Sequence, residues 1–100
     1  MIKHIVCWTL KAELPEPKEI VQEKICNMLN ELSSKIKGIH SLETGINIDP
    51  STEAYDIVLC MEFKSLEELK NYQQHPEHQK VIQYLRTVRD KRVVVDYEIK

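Results

Sequence analysis

Tyr72-Gln73-Gln74-His75-Pro76-Glu77-His78 is the stretch on which the fold turns. It gathers two of the chain's four histidines and one of its four tyrosines. Pro76 disfavours helical backbone at His75, so a helix arriving from upstream has to stop near Gln74. Proline is welcome in a first helical turn, where its missing N–H would be unpaired anyway, so a second helix restarts at Pro76. This part of the chain therefore carries a broken helix pair. The break sets His75 at the junction and His78 at the head of the second piece.

Working outward, Ser65-Leu66-Glu67-Glu68 has the pattern of a capping box, in which Ser65 accepts from the Glu68 N–H and Glu68 reaches back. It opens the first piece, with Leu69 and Tyr72 on one side. Past the break, Val81, Ile82, Leu85 and Val88 recur at helical spacing to about Asp90. His78 shares the side of Val81, Ile82 and Leu85 and so faces inward. Val93 to Ile99 is a valine-rich strand. On the other side, Tyr55 to Phe63 alternates as a strand, with Tyr55, Ile57, Leu59, Met61 and Phe63 on one face. Asp49 to Thr52 is a turn, and Ile39 to Ile48 a strand with Leu42, Thr44, Ile46 and Ile48 together. Lys18 to Lys37 is the clearest helix, through Val21, Ile25, Met28, Leu29, Leu32 and Ile36. Pro17 opens it, and Gly38 closes it as a left-handed residue. Ile2 to Leu10 is a strand with Ile2, His4, Val6, Trp8 and Leu10 on one face.

The order strand, helix, strand, strand, helix pair, strand is that of an α+β, ferredoxin-like βαββαβ fold. It predicts one antiparallel four-stranded sheet with helices on one face, in a single domain spanning residues 1–100. The length suits one domain, and 42% hydrophobic with 30% charged residues is ordinary for a globular protein. A formal net charge of -2 supplies no basic surface for nucleic acid or anionic membrane. No apolar run approaches the ~20 residues that span a bilayer. Three cysteines, Cys7, Cys26 and Cys60, far apart and odd in number, read as reduced thiols of a cytoplasmic protein.

Packing then poses a problem. Ile5, Cys7, Val58 and Cys60 occupy the second faces of their strands, and Val93, Val94 and Val95 make the last strand apolar on both. Helices of so short a chain cannot cover both sides, and exposed apolar surface costs about 25 cal/mol per Å². The expected remedy is a homodimer packed sheet face to sheet face.

Chemistry concentrates on the inward side of the sheet. His4 and Trp8 share the inner face of the first strand, and His78 and Tyr72 look toward it from the helices. The three polar rings would make a small pocket in an apolar wall, the usual form of a small-ligand site. A neutral histidine accepts a proton near pH 7, and a tyrosine hydroxyl holds or protonates an oxyanion. His78, His4 and Tyr72 are thus the catalytic candidates, suited to moving protons on a carbonyl compound. The blander reading makes them hydrogen-bonded core. No cofactor or metal is expected, since no carboxylate sits at ligand spacing on the inward face and no phosphate loop occurs. Arg86, Arg89, Lys91 and Arg92 read as a solvated helix end, favourable near a helix C-terminus.

Met1-Ile2-Lys3-His4-Ile5-Val6-Cys7-Trp8, Phe63-Lys64-Ser65-Leu66-Glu67-Glu68-Leu69, the Tyr72–His78 stretch and Asp96-Tyr97-Glu98 together resemble the stress-responsive A/B barrel (Dabb) family over nearly the whole chain. The resemblance implies a ferredoxin-like protomer pairing into a dimeric α/β barrel. Through a polyketide cyclase of the family it implies a pocket between sheet and helices, with His4, Tyr72, His75 and His78 at matching positions and His78 as general base. A histidine of that pocket corresponds here to Ile57, and a tyrosine to Met28 or Leu29, so the pocket here is more apolar. His75, Trp8 and Ile57 are the candidate ligand-lining residues. A lyase or isomerase reaction and a monooxygenase-like role remain as alternatives to a domain of no certain reaction.

Overall fold

The computed structural model describes residues 1–100. Four strands and three helices follow in the order β1 (Ile2–Leu10), α1 (Lys18–Lys35), β2 (Ile39–Ile46), β3 (Ile57–Phe63), α2 (Leu66–Gln74), α3 (Pro76–Val88) and β4 (Arg89–Glu98). The sheet order is β2-β3-β1-β4, antiparallel throughout, which is the ferredoxin-like arrangement. Inner residues alternate strictly along the two central strands: Ile2, His4, Val6, Trp8 and Leu10 on β1, and Ile57, Leu59, Met61 and Phe63 on β3 are all buried. Val21, Ile25, Leu29 and Leu32 of α1 and Val81, Leu85 and Val88 of α3 close the core over them.

Local chemistry sets the element ends. Pro76 divides α2 from α3 as its missing N–H and steric bulk dictate. His75 caps α3, its Nδ1 accepting from the Glu77 N–H at 3.0 Å. Ser65 caps α2 by accepting from the Glu68 N–H at 3.2 Å. Glu68 does not reach back to complete the box; its carboxylate lies against Gly38. Gly38 has φ +96°, the left-handed region that disfavours a side chain. Gly38→Ala is expected to cost about 1–2 kcal/mol through that backbone strain, read from urea unfolding midpoints at unchanged slope.

Four boundaries depart from the sequence reading. α1 ends at Lys35, because Ile36 is already extended while its N–H still bonds Leu32. β2 ends at Ile46, two residues early. There the Asn47 N–H turns to the Asp56 carbonyl, the side chains of Asn47 and Asp49 accept backbone N–H groups of the turn, and Ile48 points to solvent with 96% of its surface free. β3 begins at Ile57 rather than Tyr55, because Asp56 is used as a tie. Its carboxylate accepts from the Leu10 N–H at 2.7 Å and pairs with Lys18 at 2.6 Å, and its carbonyl accepts from Gln22. β4 begins directly after α3, four residues before Val93. The irregularity between Trp8 and Leu10 lets Leu10 pair with Arg89, and the Lys91 N–H finds the Thr9 hydroxyl at 2.8 Å.

Register distributes the three valines over both faces of β4, as their succession predicts. Pairing of Val94 with Val6 and Asp96 with His4 turns Arg92, Val94, Asp96 and Glu98 toward the helix side. Val93, Val95 and Tyr97 then lie on the outer face beside Cys7, Ile5 and Lys3. They are 44%, 53% and 45% exposed. β4 therefore turns its apolar residues, Val94 excepted, away from its own core. No helix is long and apolar enough to cross a membrane.

Candidate functional site

The sheet supplies one wall of the site and the helix break the other. His4 is 2% exposed at the centre of β1, and Tyr72 is 1% exposed at the end of α2. His78, half-buried in the first turn of α3, meets Tyr72 with ring centroids 4.4 Å apart. The His4 ring lies 6.2 Å from that of Tyr72, edge to face, and Phe63 backs both. His4, Tyr72 and His78 are thus brought together as the sequence suggests, in a series running from strand to helix. Trp8, Leu29, Leu59, Val81 and Leu85 complete the wall with Arg92 at its rim.

Two of the six candidates lie elsewhere. His75 faces its own helix, spent on the cap. Ile57 is buried on the inner face of β3 directly opposite Trp8, one inward step beyond Leu59, as part of the core and not of the chamber's wall. Of the apolar pair on α1, Leu29 enters the wall. No three His, Cys, Asp or Glu side chains converge as a metal set.

Hydrogen bonds fix the tautomers. His78 Nδ1 lies 3.1 Å from the Gln73 carbonyl, which can only accept, so Nδ1 carries the proton. Nε2 of the neutral ring is then left as an acceptor. His4 Nδ1 bonds the Asp96 carboxylate directly across the β1–β4 pair. Asp96 is a site residue that the sequence reading missed. Its signal was the alternation of Arg92, Asp96 and Glu98 with Val93, Val95 and Tyr97, which assigns the charged set to the side of His4.

Electrostatics favour the neutral forms of His78 and Tyr72. Burial holds His78 below its ordinary value of 6.5; the Gln73 carbonyl opposes this, while His4, Arg92 and His75 add to it. Burial pushes the Tyr72 hydroxyl above its ordinary value of 10, against a smaller pull from Arg92. At neutral pH the site offers a neutral imidazole acceptor beside a protonated phenol. The unfolded His78 takes up a proton near 6.5 and the folded ring resists it, so the unfolded state binds more protons in that window. Its contribution to stability is whole above pH 6.5 and is lost as the pH falls through the folded value. Denaturant melts between pH 7.5 and 5 should show wild type losing more stability on acidification than His78→Gln.

Free space is uneven. Between the three rings the cavity measures about 10 Å³, room for one water. The same Trp8, Ile82, Leu85 and Arg92 also border an outer cleft of about 240 Å³ reaching Arg86 and Arg89. A small inner chamber thus adjoins a wider vestibule.

The Stress responsive A/B Barrel Domain (Dabb) profile matches residues 2–99. A dimeric protein of unknown function and ferredoxin-like fold from Bacteroides fragilis is 34% identical, with TM-score 0.89 over 98% of this chain and 95% of that one. The hydroxynitrile lyase of Passiflora edulis is 19% identical, with TM-score 0.83 over 99% and 93% of the two chains. An antibiotic biosynthesis monooxygenase is 15% identical, with TM-score 0.76 over 100% and 99%. These last two likenesses are likenesses of fold. No curated protein matches the chain. A profile match over nearly every residue, joined to this order of strands and helices, means that the chain belongs to the stress responsive A/B barrel (Dabb) family.

Proposed function

We propose that this chain is one half of a homodimer closed through its outer sheet faces, and that each protomer binds a small carbonyl compound in the cleft between sheet and helices. His78 Nε2 takes a proton from carbon beside the carbonyl. The Tyr72 hydroxyl donates to the oxygen on which charge develops. His4, held by Asp96, orients Tyr72 from the strand side. The observation that carries this reading is the Gln73 carbonyl on His78 Nδ1, which leaves the other ring nitrogen as a free base toward the cleft. A hydroxynitrile lyase shares the fold.

The dimer rests on the outward apolar face of β4, on Ile5, Cys7, Val58 and Cys60 beside it, and on similar proteins described as dimeric.

A second reading makes the three rings core packing in a domain without catalysis, and the 10 Å³ of the inner chamber favours it. Deuterium exchange separates the two. Acetylacetone and phenylacetaldehyde are incubated with the protein in D₂O, and loss of the C–H signals is followed by NMR. The catalytic reading expects exchange above the buffer rate that disappears in His78→Gln. Equal exchange with wild type, His78→Gln and buffer would leave the packing reading.

A further inference from the structure

The chain has three arginines, Arg86, Arg89 and Arg92, and all three line the vestibule. None pairs with a carboxylate: every ion pair of the protomer is made by the N-terminus, a lysine or His4. Arg89 reaches only its neighbour's backbone, at 3.5 Å from the Asp90 carbonyl. Attraction to the C-terminal end of α3 accounts for cations at Arg86 and Arg89. It does not account for Arg92, which stands on β4 directly opposite Trp8. Helix and strand thus bring three unpaired guanidinium groups to one cleft whose remaining walls are Trp8, Ile82 and Leu85. A planar guanidinium presents paired N–H donors that match a carboxylate or phosphate, and apolar walls suit a hydrocarbon body. The cleft of about 240 Å³ falls below the ~300–1,000 Å³ of drug-sized sites, so its occupant is small.

We propose that the vestibule binds the oxyanion end, carboxylate or phosphate, of a small organic acid, whose apolar body lies on Trp8 and faces the His4–Tyr72–His78 chamber. This deepens the proposed function, on which it rests for the direction the ligand faces. Arginine recognition would make the cleft selective for anionic over neutral ligands of equal size.

The test titrates isotope-labelled wild-type protein with phenylacetate, phenyl phosphate and neutral phenylacetamide at constant ionic strength, followed by NMR of the backbone, arginine side chains and imidazoles. At least one anion should bind tenfold or more tightly than the amide, moving the Arg86, Arg89 and Arg92 signals. The tighter of the two anions identifies the headgroup class. Arg89→Gln and Arg92→Gln should each weaken that anion about fivefold or more and leave the amide unchanged. Binding of all three compounds with equal strength would overturn the anion site while leaving the cleft itself as a ligand site. Absence of anion-induced shifts at the arginines at 20 mM (roughly the weak-binding limit of such titrations) would overturn it as well. Anion binding that moves the arginines but not His78 would uphold the anion site and count against His78 as the proton acceptor.

Discussion

Replacing Val93 and Val95 by aspartate should convert the proposed dimer to a monomer without unfolding it. Both side chains lie on the outer face of β4, about half exposed in the protomer, so the fold loses little by the change. A twofold interface meets each substitution twice. Burying a valine is worth about 1.5 kcal/mol or more, and an unpaired carboxylate forced into an apolar contact costs several kcal/mol further. A loss of at least ~4 kcal/mol raises the dissociation constant about a thousandfold. Light scattering after size exclusion should give twice 11.8 kDa for wild type and 11.8 kDa for the double variant, with unchanged far-ultraviolet circular dichroism. A wild-type monomer at micromolar concentration would remove the dimer from the account.

Tyr72 should separate packing from chemistry. Tyr72→Ala removes a ring buried to 1% exposure between Phe63, His4 and His78, and should cost about 3–5 kcal/mol through the cavity it leaves. Tyr72→Phe keeps the ring. No protein group hydrogen-bonds the Tyr72 hydroxyl, and no sealed polar side-chain atom lacks a partner, so the hydroxyl opens onto the cleft. Its removal should cost well under the ~1 kcal/mol of an average protein hydrogen bond. If the ring only packs, Phe should behave as wild type in every assay. If the hydroxyl stabilises an oxyanion, Phe should unfold like wild type yet lose deuterium exchange on the carbonyl probes by about tenfold or more.

Much of this was legible beforehand because two devices in the chain are local. Pro76 alone divides α2 from α3, and strict alternation from Ile2 to Leu10 and from Ile57 to Phe63 fixes which faces are buried. His4, Tyr72 and His78 meet because each lies on the inner side of its own element, which spacing reveals. What spacing could not give is pairing across the chain. Asp96 lies 92 residues from His4, and only the β1–β4 register sets them opposite each other. The same register separates Val94 from Val93 and Val95. It also turns the arginines from a solvated helix end into the wall of a cleft, since Arg92 faces the helices only once β4 is paired with β1. Asp56 escaped for a related reason. It continues the alternation of β3 in sequence, yet its carboxylate is taken by Leu10 and Lys18, so the strand starts at Ile57, two residues after Tyr55. The family likeness placed Ile57 in the pocket; it lies buried on the inner face opposite Trp8, but the part of β3 that lines the chamber is Leu59.

The central claim is that His78 stands neutral at physiological pH with its proton on Nδ1 and its Nε2 free toward the cleft. Long-range nitrogen–proton correlation spectra of the imidazole rings read both properties in one titration. His78 should show the pattern of a ring with Nδ1 protonated and Nε2 bare, and a midpoint below 6.5. A His78 ring protonated on Nε2, or one that titrates above 6.5, would contradict it.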